Sequence, residues 1–249
     1  MRRLLPEPAG PIEPVAAYAD LPTAEGRPGV RLNMVASVDG AIAVDGVSGG
    51  LGGDADRRVY LALRSLADIV LVAAGTVRTE GYGPPRLSDA LVAQRRARGQ
   101  ERVPRIAVVS RSLALDWDAP LFSGADPDAP PLVVTCAGAP HDALKRAEAV
   151  ADTVVAGDES VDLPAALAAL GARGARAVLA EGGPRLNAAL AAAGVLDELC
   201  LTISPRLVGG DARRILDGPE PCAGGRPMRL WSVCEDEGFL FLRHRTSDA

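Results

Sequence analysis

Two short stretches carry backbone and side chains whose types and spacing suit chemistry on a phosphorylated ligand. In Ala177 to Asn187, AVLAEGGPRLN, an apolar run meets Glu181, then Gly182-Gly183-Pro184, then a helical composition from Arg185 and Leu186 onward. A strand, a tight glycine turn and a helix opening at Pro184 and Arg185 would aim free backbone N–H groups and the positive end of a helix dipole at the strand tip. That setting suits phosphate or pyrophosphate. Glu181 is the odd member, because a carboxylate beside an anion site is costly unless it handles a proton or a polar substrate. The plain alternative is an ordinary turn with a solvated glutamate. Gly75-Thr76-Val77-Arg78 follows a second apolar run, and its N–H groups and Thr76 hydroxyl can face Gly182-Gly183 across a pyrophosphate-sized gap.

Scarcities narrow the remaining chemistry. Lys145 is the only lysine, so a phosphate clamp must use arginine or backbone N–H groups. His141 and His244 are the only histidines and neither sits in a motif, which leaves carboxylates, hydroxyls or water to move protons. Glu181 is the first carboxylate candidate and Asp39 the second, although Asp39-Gly40 also reads as an Asx-type turn. The four cysteines are scattered without a C-x-x-C pair or a histidine cluster, so neither a metal site nor a disulfide framework is expected.

The elements that must position these residues follow from the pattern of the chain. With 249 residues and 48% apolar content, a packed core is well supported. A net charge of -5 and 3% aromatics give neither the basic footprint nor the stacking platforms of a nucleic-acid binder. No apolar stretch is long enough to span a membrane and no signal-peptide core follows Met1, so a cytoplasmic protein is expected. Residues 1–29, rich in proline, read as an arm lying over the domain, and 30–249 as one domain.

Val30 to Val38 reads as the first strand, and Ala41 to Val44 as a short extended segment before the glycine-rich loop Gly46 to Gly53. Asp54 reads as the cap of a helix running to Ala67. Ile69 to Ala74, Ile106 to Val109, Leu132 to Thr135, Thr153 to Ala156 and Ala177 to Ala180 are apolar throughout, as parallel strands covered on both faces should be. Helical segments at Ser88 to Arg98, His141 to Val150 and Leu163 to Arg173 separate them. The end of the chain reads as strands at Leu196 to Ile203, Leu230 to Cys234 and Gly238 to His244, the last two an antiparallel hairpin at the sheet edge. The fold class is therefore α/β: three layers, α/β/α, around a mostly parallel mixed sheet with an antiparallel C-terminal hairpin. Ligands should gather where the carboxyl ends of the strands meet.

Three segments, RLNMVASVDGAIA (Arg31 to Ala43), ADIVLVAAGTVRTEGYGPPR (Ala67 to Arg86) and AEGGPRLNAAL (Ala180 to Leu190), together resemble the pyrimidine reductases of riboflavin biosynthesis, the reductase part of the bifunctional deaminase-reductases. The likeness spans roughly Val30 to Arg243. It implies a dihydrofolate reductase-like fold, a homodimer, and reduction of the ribosyl group of 5-amino-6-(5-phosphoribosylamino)uracil to ribityl with NADPH. Positions matching the family's substrate-phosphate residues are Ser48, Arg64 and Arg86.

In that setting the cofactor would lie on Gly75, Thr76, Val77, Arg78, Gly182, Gly183, Pro184, Arg185 and Leu186. Ser110-Arg111-Ser112 closes a neighbouring strand with one guanidinium between two hydroxyls, which suits the 2′-phosphate of NADPH and would be surplus for NAD. Asn33 and Ser37 share one strand face, with Ala36 between them, and could meet the pyrimidine edge or the nicotinamide carboxamide. The paired H-x-E and P-C-x-x-C of a deaminase are missing, since Pro221-Cys222 runs into Ala223-Gly224-Gly225, so a reductase alone is expected. Gly50 and Leu51 stand in the glycine loop where many bifunctional relatives carry an aromatic residue. Two other readings stay open: a pterin or dihydrofolate reductase on the same fold, and an NADPH-binding protein without turnover.

Overall fold

Strands that are apolar at every position send alternate side chains into two separate cores. In the computed structural model, which describes residues 1–218 and 225–246, Val70 and Val72 enter one core while Ile69 and Leu71 enter the other. Ile106 and Val108 alternate with Ala107, and Val133 with Leu132 and Val134, in the same way. Cys222 lies outside the described residues.

Six strands carry the first half of the sheet: β1 (Arg2–Leu5), β2 (Gly10–Pro11), β3 (Gly29–Ser37), β4 (Ile69–Ala73), β5 (Arg105–Val109) and β6 (Leu132–Thr135). Five more follow: β7 (Asp152–Val155), β8 (Ala177–Ala180), β9 (Glu198–Ser204), β10 (Met228–Asp236) and β11 (Phe239–Thr246). The helices are α1 (Pro14–Ala17), α2 (Asp54–Leu66), α3 (Ala74–Thr79), α4 (Asp89–Ala97), α5 (Pro120–Ser123), α6 (His141–Val150), α7 (Leu163–Ala172) and α8 (Pro184–Ala192).

The described residues form one 11-stranded sheet in the order β2-β1-β10-β11-β9-β3-β8-β4-β5-β6-β7. From β9 to β7 every neighbouring pair is parallel. From β9 outward through β11, β10, β1 and β2 every pair is antiparallel. Helix α2 packs its Val59, Leu63 and Leu66 into one core, and α7 and α8 supply Leu167, Leu170, Leu186 and Leu190 to the other. This is the three-layer α/β/α arrangement expected, with its mixed sheet.

Two details of the sequence reading change. The proline-rich residues 1–29, read as an arm lying over the domain, also join its sheet: β1 pairs with β10, β2 pairs with β1, and Tyr18 is buried in the core. Prolines at the sheet margin permit this, because an edge strand can forgo N–H donors. Consequently the hairpin β10–β11 is internal, and any dimer would have to use faces of these strands and not their edges.

A buried charge cluster fixes the arm. Glu198, fully buried, accepts from Arg243 Nε at 2.9 Å and Arg245 Nε at 2.7 Å, while Arg31 donates to the Tyr18 and Asp20 carbonyls at 2.6 Å each. Burial pushes the Glu198 carboxyl up, but Arg31 and Arg243 beside it win and hold it at about 2.

The end of α2 is fixed in a similar way. Arg95 of α4, 1% exposed, donates to the carbonyls of Ala67 at 2.5 Å and Ser65 at 3.0 Å. These last-turn carbonyls have no partner within the helix, and a cation there also answers the helix dipole. Burial lowers the Arg95 guanidinium to about 10. The C-terminal end of α2 is thereby tied to α4.

Candidate active site

The chain runs outward from β3 and β4 to β7, then returns to insert β8 between β3 and β4. Because these strands are parallel, their carboxyl ends meet at one edge where the connections change direction, the place at which such sheets bind ligands. A cleft of about 1460 Å³ opens there. A smaller cavity of about 820 Å³, lined by Arg27, Asp68 and Arg176, lies at the opposite ends of the strands, away from the glycine turns.

The β8 and β4 tips form one wall. The Ala73 N–H donates to the Gly182 carbonyl at 2.8 Å, which docks the two tips together. Gly182 has φ +92, and the Gly182–Gly183 peptide is cis. A Cβ built on Gly183 would sit 2.7 Å from Thr76 Oγ1, so only glycine fits against the threonine. Helix α8 begins at Pro184 with Gly183 as a cap that lacks a side chain. Its first-turn N–H groups at Arg185 and Leu186 therefore stay open to an anion. Gly75 to Arg78 make up most of the short helix α3, with Val77 turned into the core and Gly75, Thr76 and Arg78 on the cleft.

The floor is a charge pair. Arg64 of α2 donates from Nε to Glu181 Oε1 at 2.7 Å and from Nη2 to Oε2 at 2.6 Å, and Tyr82 donates its hydroxyl to Oε2 at 2.6 Å. Arg64 is 8% exposed and Glu181 9%. The guanidinium lies 4.4 Å from the Tyr60 ring centroid and 5.5 Å from that of Tyr82. Burial pulls the Arg64 guanidinium down, but the Glu181 charge more than reverses this and keeps it a cation. Burial and the same negative charge push both tyrosine hydroxyls well up, so Tyr60 and Tyr82 stay neutral.

This geometry revises several expectations. Glu181 Oε1 accepts one hydrogen bond and Oε2 two, so in this arrangement Glu181 orients Arg64 and Tyr82. Arg64, expected on a phosphate, is neutralised by Glu181. Ser48 lines the cleft, but its N–H donates to Glu80 Oε1 at 3.0 Å, tying the glycine loop to the end of α3. Arg86 is exposed and outside the cleft lining, because Pro84 lines the cleft and buried Pro85 carries the chain past it. Ser48, Arg64 and Arg86 thus do not converge on one anion. The arginines that do line the cleft with exposed side chains are Arg57, Arg78, Arg185 and Arg213.

At the β3 tip, Asn33 lines the cleft as expected, together with Met34 and Val35. Ala36 and Ser37 are buried and outside its lining. The Ser37 hydroxyl donates to Asp39 at 2.5 Å and accepts from the Ala41 N–H at 2.8 Å, which leaves it nothing for a ligand. Asp39 also accepts from the N–H groups of Val208 and Gly209, at 3.2 and 2.7 Å. The Ser37 hydroxyl and these two amides hold its carboxyl low, at about 2. It anchors the segment after β9 and carries no proton at neutral pH.

The hold of Asp39 is full above the ordinary carboxylate range, near about pH 4, and is lost as pH falls through its own low value. Asp39→Asn should therefore speed hydrogen exchange at Val208 and Gly209 at neutral pH and leave both limbs of a neutral pH–rate profile unmoved. A shifted limb would return Asp39 to proton transfer.

On the β5 side, Ser110 is buried and its Oγ accepts from the Leu113 N–H at 3.0 Å, so it closes a turn. The Arg111 side chain is 67% exposed, with only the exposed Glu159 carboxylate near it at 3.9 Å. Leu51 is fully buried and does not line the cleft.

Sequence reasoning missed Asp56, Tyr60 and Tyr82. Asp56, Tyr60 and Arg64 recur at every fourth residue of α2, one stripe of the helix beside the apolar stripe of Val59, Leu63 and Leu66. That spacing was the available signal. Asp56 lines the cleft, and burial raises its carboxyl from the usual value against the pull of the Thr202 hydroxyl. Among the described residues no cluster of three or more metal-ligating side chains occurs, and no helix is long and apolar enough to cross a membrane.

Residues 28–237 match the family described as the RibD C-terminal domain. A protein of Methanothermobacter thermautotrophicus named 2,5-diamino-6-ribosylamino-4(3H)-pyrimidinone 5′-phosphate reductase is 33% identical over 193 residues, covering 77% of this chain and 85% of its own. A protein of the same name from Archaeoglobus fulgidus is 30% identical over 197 residues, covering 77% and 87%. Among solved structures, a pyrimidine reductase-like protein of Corynebacterium diphtheriae superposes with a TM-score of 0.78 at 28% identity, covering 88% of this chain and 92% of its own.

Proposed function

Because the chain belongs to the RibD C-terminal domain family, the pyrimidine reductases of riboflavin biosynthesis, we propose that it reduces the ribosylamino group of a pyrimidine 5′-phosphate to the ribityl level with NADPH. The observation that carries this is the paired wall at the β4 and β8 tips. Gly183 against Thr76 leaves no room for a Cβ, and the first-turn N–H groups of α8 open beside it. Such a surface fits a pyrophosphate, and a nicotinamide cofactor bound there supplies a hydride.

The protein's own task is then positioning. The carbon accepting the hydride must be held about 3–3.5 Å from its donor. The Arg64–Glu181 pair with Tyr60 and Tyr82 gives the substrate end a rigid, largely dry floor. Arg57, Arg185 and Arg213 are the cations available to its phosphate, since Arg64 is already paired. The substrate nitrogen takes its proton from solvent in this reading, with Asp39 turned to the segment after β9 and Glu181 paired with Arg64. The resemblance in sequence implies a uracil ring, whereas the archaeal relatives are named for a 2,5-diaminopyrimidinone. The other two readings, a pterin or dihydrofolate reductase and a binding protein without turnover, are not favoured by these relatives.

Loss of reduced-nicotinamide absorbance with either ribosylaminopyrimidine phosphate, and none with dihydrofolate, is the expected result. Tight NADPH binding without oxidation by either pyrimidine overturns the proposal. Cofactor choice rests on Arg111, an exposed cation at the β5 tip. Arg111→Ala should raise KM for NADPH by on the order of 10-fold and leave that for NADH unchanged. Equal losses would place the 2′-phosphate elsewhere.

A further inference from the structure

The second cavity, of about 820 Å³, lies where β3, β4 and β8 begin, at Gly29, Asp68 and Arg176. Its size is that of a small-molecule site. Residues 19–29 close one side, held in a tight loop by an antiparallel bridge between Ala24 and Arg27. Leu66 of α2, Gly171 of α7 and Ala175 close the others. The interior is aliphatic: Val15, Leu21, Pro22 and Leu66 line it, and among the described residues no aromatic ring does.

Most polar groups on this lining are already engaged. Arg27 donates from both terminal nitrogens to Asp197, at 2.7 and 2.8 Å. The Asp68 carboxylate accepts from Gln100 Nε2 at 2.7 Å and from the Arg176 and Ala177 N–H groups at 2.8 and 3.0 Å, which ties the start of β8 to that of β4. Gln100 also donates to the Leu66 carbonyl and accepts from Arg98 Nε, at 3.1 and 3.0 Å.

Two guanidinium groups are left over. Arg98 donates from Nη2 to the Ser65 carbonyl at 2.7 Å, but among the described residues its Nη1 has no partner and no carboxylate pairs with it. Burial lowers this guanidinium from its usual value, with the Asp68 charge alone pulling against it. The Arg176 side chain makes no hydrogen bond or ion pair among the described residues, although its backbone N–H is held by Asp68. Both side chains are exposed, so they stand at the mouth of the cavity.

Cations at the mouth of an aliphatic cavity select one kind of ligand. An inorganic anion leaves the interior unfilled, and a neutral apolar molecule leaves the guanidiniums unanswered. A carboxylate on an apolar chain meets both. We propose that this cavity is a second binding site, taking an apolar-tailed carboxylate with its head on Arg98 and Arg176 and its tail against Leu21, Pro22 and Leu66. The site is separate from the cleft and stands whatever reaction the cleft performs.

Calorimetric titration of the full chain with decanoate, below its micelle concentration and with and without saturating NADPH, tests this. One site per chain is expected, unaffected by NADPH. Each CH₂ taken from water raises affinity roughly fourfold, so decanoate should bind on the order of 10²-fold more tightly than hexanoate. Inorganic phosphate should not compete. Arg176→Gln breaks no contact of its side chain within the protein, so its melting temperature should match the wild type while decanoate affinity falls on the order of 10-fold. Adding Arg98→Gln should weaken binding further. Absence of binding, equal affinity for hexanoate and decanoate, or wild-type affinity in Arg176→Gln overturns the assignment. Expulsion of decanoate by NADPH also overturns it, since the tail would then lie in the cleft.

Discussion

Glu181→Gln should melt well below the wild type and turn over substrate on the order of 10²-fold more slowly. Removing the charge strands Arg64, which is 8% exposed and stacked near two tyrosines, without its counter-ion. Breaking a buried pair from one side costs about 3–5 kcal/mol, because the remaining charge is neither solvated nor paired. For a chain of this size each kcal/mol moves the melting point by about 2–4 °C. The loss of turnover has a separate origin: without the bidentate contact the floor of the cleft shifts, and a misplacement of about 1 Å at a reacting centre costs on the order of 10²-fold.

The two effects can be separated with the double replacement Arg64→Met with Glu181→Met. An apolar pair of similar volume is often as stable as the ion pair it replaces, so melting should recover. Turnover should not, because the ordered donors and acceptors are gone. Recovery of both would show that the pair serves only folding, and a Glu181→Gln protein with normal melting and normal turnover would remove it from either role.

Gly183→Ala should weaken NADPH binding by on the order of 10²-fold while the rest of the domain stays folded. The new Cβ would meet Thr76 Oγ1 at 2.7 Å, closer than such atoms approach, so Thr76 must turn or the β4 and β8 tips must part. The wall then no longer presents its two halves at the spacing a pyrophosphate needs. Overpacking of this kind costs about 1–3 kcal/mol, which a domain with two cores absorbs. Adding Thr76→Ala removes the oxygen and the contact. The double variant should therefore bind NADPH more tightly than Gly183→Ala alone, a coupling that residues in contact show and distant ones do not. Fluorescence titration of the four proteins reads it directly, and unchanged NADPH affinity in Gly183→Ala would place the cofactor away from this wall.

What was legible in the chain follows from where each signal is local. The strands β4, β5, β6 and β8 were plain because parallel strands buried on both faces are apolar at every position. The glycine turn before Pro184 was plain because cap and turn chemistry lies within a few residues. The strands β1 and β2 were not, since four and two residues among prolines take their meaning only from β10, at the far end of the chain.

Arg64 and Glu181 were each legible as functional and illegible as partners: 117 positions separate them, and nothing in either neighbourhood announces the other. Each was accordingly assigned to a ligand. Asp39 carried its own warning, because Asp-Gly already suggested a turn, and the structure extends that turn to Val208 and Gly209. Asp56 and Tyr60 were hidden by their neighbours, whose apolar spacing accounts for the helix without them.

The insertion of β8 between β3 and β4 also dictates an order of events. The flanking strands β4 and β3 are made about 100 and about 140 residues before β8, yet they cannot close on each other, and until β8 arrives they present two unpaired edges to anything extended nearby. Tyr82 and Arg64 wait with them, 99 and 117 positions ahead of the carboxylate they will bind. The cleft is therefore incomplete until this four-residue strand has docked. A ligand that spans the β4 and β8 tips binds only the docked state, and so favours that docking by mass action.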